Sequence, residues 1–167
     1  MSLPVCFAPL QGYTDAVYRC AHASLFGGVA AFYTPFVRIE KDDFRRKDLR
    51  DIAPENNRGM TVVPQLIASQ PDELCRLVDG IAACGYRRID LNLGCPFPIL
   101  AKRHKGSGIL PFPDEVERLL RPLEGYGGID FSAGVGEPRR VVAPVAAARE
   151  LAGATDYAPR PGGAAAV

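Results

Sequence analysis

Ile89-Asp-Leu-Asn-Leu-Gly-Cys-Pro96 decides how this chain is read. Ile89, Leu91 and Leu93 alternate with Asp90 and Asn92, the period-two pattern of a strand with one apolar face. Gly94-Cys95-Pro96 then ends the strand. Gly94 admits backbone angles closed to other residues, and Pro96 fixes its own φ and biases Cys95 away from helical geometry. A thiol is thus held on a stiff turn just past the carboxyl end of a strand, where α/β folds gather their chemistry. A basic, glycine-containing loop follows, Lys102-Arg-His-Lys-Gly-Ser-Gly108.

Outward from that strand, the chain alternates strand and helix signals. Pro4–Pro9 is short, apolar and bounded by prolines, and it reads as a buried strand. Thr14 is a candidate N-cap, and Val17, Cys20, Ala21 and Leu25 give the following helix one apolar stripe. Ala30–Thr34 and Thr61–Ile67 are the second and third strands. Between them the segment from Arg38 to Arg58 is dense in charges of both signs, the mark of a solvated helix and loop. Ser69-x-x-Asp72 with Pro71 signals a helix start, and Leu74, Leu77, Val78 and Ile81 repeat at helical spacing up to Gly85. Another helix begins at Pro113, with Val116, Leu119 and Leu120 on its apolar face, and Gly128–Ser132 is a fifth strand. Such alternation implies an α/β fold with a parallel sheet and helices outside.

The pattern fades after five strands, and the full 167 residues fall short of the ~200 or more that an eight-stranded barrel needs. Residues 133–167 form an atypical tail rich in Ala, Gly, Pro and Arg. Val145–Leu151 is a short helix candidate there, and Ala158–Val167 reads as unstructured.

Composition excludes several classes. A hydrophobic fraction of 47%, 23% charged residues and a net charge of +1 describe an ordinary globular chain without a global field for nucleic acid. No apolar run approaches the ~20 residues of a membrane helix, and Met1-Ser-Leu-Pro4 lacks the features of a signal peptide, so a cytoplasmic location is expected. The five cysteines show neither metal-ligand nor C-x-x-C spacing; free thiols and no metal are expected.

Together these motifs resemble the tRNA-dihydrouridine synthase family, flavin enzymes whose FMN-binding TIM barrel precedes a small helical tRNA-binding domain. Four stretches carry the resemblance: Ala8-Pro-Leu-Gln-Gly12 with Thr14, Asp15 and Arg19; Val63-Pro-Gln-Leu66; Asp90-Leu-Asn-Leu-Gly-Cys-Pro96; and Lys105-Gly-Ser-Gly-Ile-Leu110. The last two in series are the most specific. The resemblance implies that residues 1–132 are the N-terminal portion of an incomplete (β/α)8 TIM barrel. It further implies FMN as cofactor, NADPH as reductant and tRNA as substrate, with uridine reduced to dihydrouridine. In that scheme Cys95 is the general acid, a role suited to a thiol whose ordinary pKa of ~8.5 keeps it protonated at neutral pH. Ala8, Pro9 and Leu10 would line the flavin, Gln65 would hydrogen-bond its ring edge, and Asn92 would lie beside flavin and substrate. Lys102 and Lys105 would approach RNA phosphate.

The chain departs from the family after the fifth strand. The family ends that strand with Lys-x-Arg, the lysine contacting the flavin, whereas Phe131-Ser132 continues here into Ala133-Gly-Val-Gly136. The later His-x-Arg motif, the phosphate-binding strand ends and the helical domain have no counterpart in the sequence. Two other functions remain open at this stage: a flavin barrel acting on a free pyrimidine, and a non-catalytic barrel fragment.

Overall fold

The computed structural model describes residues 4–135 and the strand at 141–144. The sheet begins with β1 (Val5–Phe7), β2 (Val29–Tyr33) and β5 (Val62–Val63), each paired in parallel with the next. It continues with β6 (Gln65–Leu66), β7 (Arg88–Asn92) and β8 (Asp130–Val135), again parallel. β5 and β6 are two halves of the strand foreseen at 61–67. Pro64 divides them because it has no N–H to give the ladder, although its carbonyl still accepts from the Asp90 N–H at 2.9 Å. The result is an open, alternating parallel β/α sheet, the first part of a TIM barrel.

Helices cover one face. α1 (Ala16–Leu25) follows β1, α3 (Pro71–Ala83) follows β6 and α5 (Pro113–Leu120) precedes β8. The connection from β2 to β5 carries a small hairpin, β3 (Ile39–Glu40) with β4 (Asp43–Phe44), and then α2 (Arg46–Ile52). Leu66, Ile89, Leu91, Leu93 and Ala133 point outward from the strands onto Leu74, Leu77, Val78 and Ile81 of α3 and Val116, Leu119 and Leu120 of α5. Each of the Leu, Ile and Val side chains contributes about 1.5–3 kcal/mol on burial, so this layer holds the sheet to its helices. No helix among the described residues is long and apolar enough to cross a membrane.

Four local readings change. β1 is largely exposed, Val5 at 63%, because among the described residues only β2 lies beside it. The N-cap of α1 is Asp15, whose side chain accepts from the Tyr18 N–H; Thr14 instead takes the Leu10 N–H at 2.8 Å. The apolar stripe of α1 faces outward, with Val17 78% and Leu25 74% exposed. The inner face is taken by Ala16 and a fully buried Arg19, which is bound to Thr14 O, Asp51 and Asn57. These polar bonds, with the Ala16 N–H on Asp51 Oδ1 at 2.6 Å, set the helix's roll in place of hydrophobic burial. The N-cap of α3 is Gln70 rather than Ser69, whose N–H goes to Glu73 Oε2 at 3.3 Å.

Beyond β8 the topology changes. β9 (Val141–Pro144) pairs antiparallel with β8, Ser132 opposite Pro144 and Val135 opposite Val141. A continuing barrel would place a parallel strand on that edge after a helical crossover. The helix read at Val145–Leu151 and the segment Ala158–Val167 lie outside the described residues.

Candidate active site

The register of the sheet aligns Gln65 with Asp90 and Asp90 with Ser132. Strand alternation that turns Ile89 and Leu91 toward the helices turns Asp90 and Asn92 to the opposite face. Gln65 is 1%, Asp90 1% and Asn92 6% exposed. Buried polar groups of this kind need partners, and here they supply one another. The Asn92 amide donates to Gln65 Oε1 at 2.8 Å, Gln65 Nε2 donates to Asp90 Oδ2 at 2.6 Å, and Ser132 Oγ donates to Asp90 Oδ1 at 2.8 Å.

The same chain of bonds reaches the thiol-bearing turn. Asn92 Oδ1 accepts from the backbone N–H of Cys95 at 2.9 Å and of Gly94 at 3.2 Å, closing the turn that its sequence foreshadows. From the other side, the Cys95 carbonyl accepts from the Ser107 N–H at 3.0 Å and from Ser107 Oγ at 3.1 Å. Gly106 sits against it with φ +61°, in a space where a Cβ would lie 2.6 Å from the Cys95 carbonyl oxygen. The loop therefore folds back as α4 (Pro98–Ala101) and a 3-10 turn (Gly106–Ile109) that clamp the Cys95 backbone. Cys95 itself is partly exposed.

The other residues singled out in the sequence are placed differently. Ala8, Pro9 and Leu10 follow β1, with Leu10 58% exposed, and Gln11 Oε1 ties their loop to β2's end by accepting from the Phe36 N–H at 3.0 Å. Lys102 is exposed. Lys105 turns back to form an ion pair with Glu73 of α3. His104 stacks on Phe112 at 4.2 Å and bonds Glu115 at 2.7 Å, which anchors the loop to α5.

Sequence reasoning misses Asp90, Ser132 and Tyr33. Asp90 was recoverable, because it shares a strand face with Asn92; Ser132 was not, because its role depends on the register of β8. Tyr33 is buried nearby on β2, and burial first, then the Asp90 carboxylate, push its hydroxyl above the ordinary pKa. It stays protonated and available to donate.

A cleft of about 210 Å³ opens beside the ends of β1 and β2, lined in part by Gln11, Arg38, Arg45, Lys47 and Asp48. Its charges are mostly spent on each other. Arg38 lies 3.1 Å from Glu40, and Arg45 lies 3.8 Å from Glu40 and 3.7 Å from Asp48. Asp48 is 7% exposed, and burial raises its pKa against the pull of Arg38 and Arg45.

A parallel β/α sheet with interlocked amides and a clamped, cysteine-bearing turn at its strand ends defines the first part of a β/α barrel. The chain belongs to the dihydrouridine synthase family, whose profile matches residues 6–129. It is 27% identical over 127 residues to the "Probable tRNA-dihydrouridine synthase 2" of Bacillus subtilis, a match covering 75% of this chain and 38% of that protein. It is 29% identical over 127 residues to the "tRNA-dihydrouridine(16) synthase" of Neisseria meningitidis, covering 72% and 38%. A "Probable tRNA-dihydrouridine synthase" of Staphylococcus aureus is 28% identical over 129 residues, covering 75% and 38%. The matched part of the chain thus spans about 38% of the length of these relatives.

The family's FMN can be tested against the groups present. Gln65 retains one Nε2 hydrogen and one Oε1 lone pair beyond the bonds described, and Asn92 retains one Nδ2 hydrogen. That mixture of donor and acceptor suits the ring edge of a flavin. The flavin-contacting lysine that the resemblance implies at the end of this strand is not matched, because Ser132–Val135 carries no lysine.

Proposed function

We propose that this chain provides the proton-donating, ring-binding part of an FMN-dependent tRNA-dihydrouridine synthase, reducing uridine to dihydrouridine with NADPH as the ultimate reductant. The observation that carries this reading is the unbroken series of hydrogen bonds from Gln65 through Asn92 to the Cys95 turn. Bound FMN would supply the hydride for one carbon of the uracil double bond. Cys95 Sγ gives its proton to the neighbouring carbon, and the turn fixes where that thiol stands. Gln65 and Asn92 orient the flavin ring through the groups they have left. Ala8, Pro9 and Leu10 line its other side, and Lys102 meets RNA phosphate. Lys105 acts through the loop, since its ammonium is engaged by Glu73.

The test is to titrate the purified chain with FMN, supply NADPH and unmodified tRNA, and measure dihydrouridine in digested RNA by mass spectrometry. Cys95→Ala should retain flavin and lose dihydrouridine; undiminished product with that variant would refute the proton-donor role. Supplying free uracil in place of tRNA distinguishes a pyrimidine reductase. A second reading, a non-catalytic fragment, is favoured by the antiparallel β9 on the edge where a barrel would continue. Failure of the chain to bind FMN at micromolar concentration would decide for it.

A further inference from the structure

The geometry points to Asp90 as a positioning residue whose carboxylate sets the direction of every amide between β8 and the Cys95 turn. The catalytic meaning rests on the function proposed above; the positioning does not. Both oxygens of the Asp90 carboxyl face donors and accept from them, one from Gln65 Nε2 at 2.6 Å and the other from Ser132 Oγ at 2.8 Å. The Gln65 amide must therefore turn its NH2 end toward Asp90, which points Oε1 toward Asn92. Asn92 must answer with its own NH2 end, 2.8 Å away. Its Oδ1 is then left facing the Gly94 and Cys95 N–H groups, the only orientation in which it can close the turn. Were either amide reversed, two donors or two acceptors would face each other in a buried site, where an unmatched group costs free energy with no water to relieve it.

The arrangement also determines what is offered to a ligand. Because Gln65 is locked, its free donor and acceptor occupy fixed sides, and the ring of a bound flavin would meet one pattern instead of two. A neutral, space-filling residue at position 90 would leave the Gln65 amide free to adopt both.

Polarity can be separated from packing by isosteric substitutions read out at Cys95 itself. Asp90→Asn keeps the shape but removes the fixed acceptor, so the Gln65 amide can reverse and the Asn92 amide with it, which turns an NH2 end toward the Gly94 and Cys95 N–H groups. Adding Gln65→Glu restores the direction. The new amide at position 90 donates to the carboxylate introduced at position 65, and its oxygen accepts from Ser132. The second oxygen of that introduced carboxylate accepts from Asn92. The full chain, without flavin, is treated with iodoacetamide at pH 8, and the alkylation rate of each cysteine is followed by peptide mass spectrometry. Cys84, packed against the core at the end of α3, reports global loosening. Asp90→Asn should speed Cys95 alkylation relative to Cys84 about tenfold, the equivalent of one buried hydrogen bond lost from the turn. The double variant should return it to within about twofold of the parent, a margin well inside that energy. An unchanged Cys95-to-Cys84 ratio in Asp90→Asn, or a double variant no better than the single, would overturn the assignment. If Asp90→Asn does not fold, recovery of folding in the double variant supports the polarity chain, and its failure to fold overturns it. None of these rates depends on FMN or tRNA, so the result stands apart from the success or failure of the functional proposal.

Discussion

Replacing Gly106 by alanine should destabilise the chain by about 2–4 kcal/mol, and the figure can be built from two sources. Gly106 has φ +61°, a left-handed conformation that costs an L residue about 1–2 kcal/mol. Its added Cβ would also stand 2.6 Å from the Cys95 carbonyl oxygen, 3.0 Å from the Cys95 Cβ and 3.1 Å from the Cys95 nitrogen. Two of these are backbone atoms, so no side-chain rotation relieves the contact and the loop must withdraw. Withdrawal stretches the two bonds that Ser107 makes to the same carbonyl, each contributing about 1 kcal/mol.

Gly59 provides the control. Its φ is +76°, but nothing lies within 4 Å of its virtual Cβ, so Gly59→Ala carries the conformational cost alone. Equilibrium urea unfolding of both variants, compared at constant m value, isolates the contact term as their difference, expected at about 1–2 kcal/mol. A Gly106→Ala protein within about 0.5 kcal/mol of Gly59→Ala would refute the claim that the loop is clamped on the Cys95 backbone.

Arg19 is buried with its guanidinium on Thr14 O, Asp51 and Asn57, so Arg19→Met should cost about 3–5 kcal/mol in urea unfolding by stranding the Asp51 charge. Burial raises the Asp48 carboxyl above its ordinary 3.8, so the folded state holds that proton longer. Its contribution to stability is therefore greatest below 3.8 and falls as pH rises through the raised folded value. Asp48→Asn should gain on the parent over that interval in unfolding measured at successive pH values; a constant difference would contradict the assignment. Lys102→Ala should lower tRNA affinity and reduce the salt slope of binding by about 0.7–0.9. Lys105→Ala, which loses the Glu73 pair, should leave that slope unchanged while lowering the unfolding midpoint.

What could be read from the sequence, and what could not, follows the range of the forces involved. α3 and α5 were legible because their apolar residues repeat locally and meet the sheet as that repeat predicts. α1 was misread in orientation for a physical reason. The bonds of Arg19 to Asp51 and Asn57, more than thirty residues away, outweigh the apolar stripe. In the candidate site, Gly94-Cys95-Pro96 announced its turn through backbone restrictions alone. That Asn92 closes the turn, and that Asp90 orders Asn92 through Gln65, depends on the pairing of β6 with β7, which no local pattern states. The folding of Lys105 back onto Glu73 was hidden similarly, since it requires α3 and the loop to be neighbours.

The family match ends at residue 129, and the parallel sheet goes one strand further. β8 still finds its place because Phe131 and Ala133 alternate toward the helical core while Ser132 turns to Asp90, so β7 dictates the register whatever follows. Only at the far edge of β8 does the topology change to the antiparallel β9. That edge is where a barrel would add its next strand, and a strand's edge can be paired only once. Any further strands that complete a flavin site must therefore displace β9 or join the sheet beyond it. The two cases differ in a measurable way. Displacement exposes those β8 amides between Ser132 and Val135 that face β9 to hydrogen exchange before closure, whereas addition beyond β9 leaves them protected throughout. The open β1 edge on the opposite side has no such cover among the described residues, so its amides should exchange fastest of the sheet. Protection at β1 matching that of β7 would show that the sheet is closed by something more than the strands described.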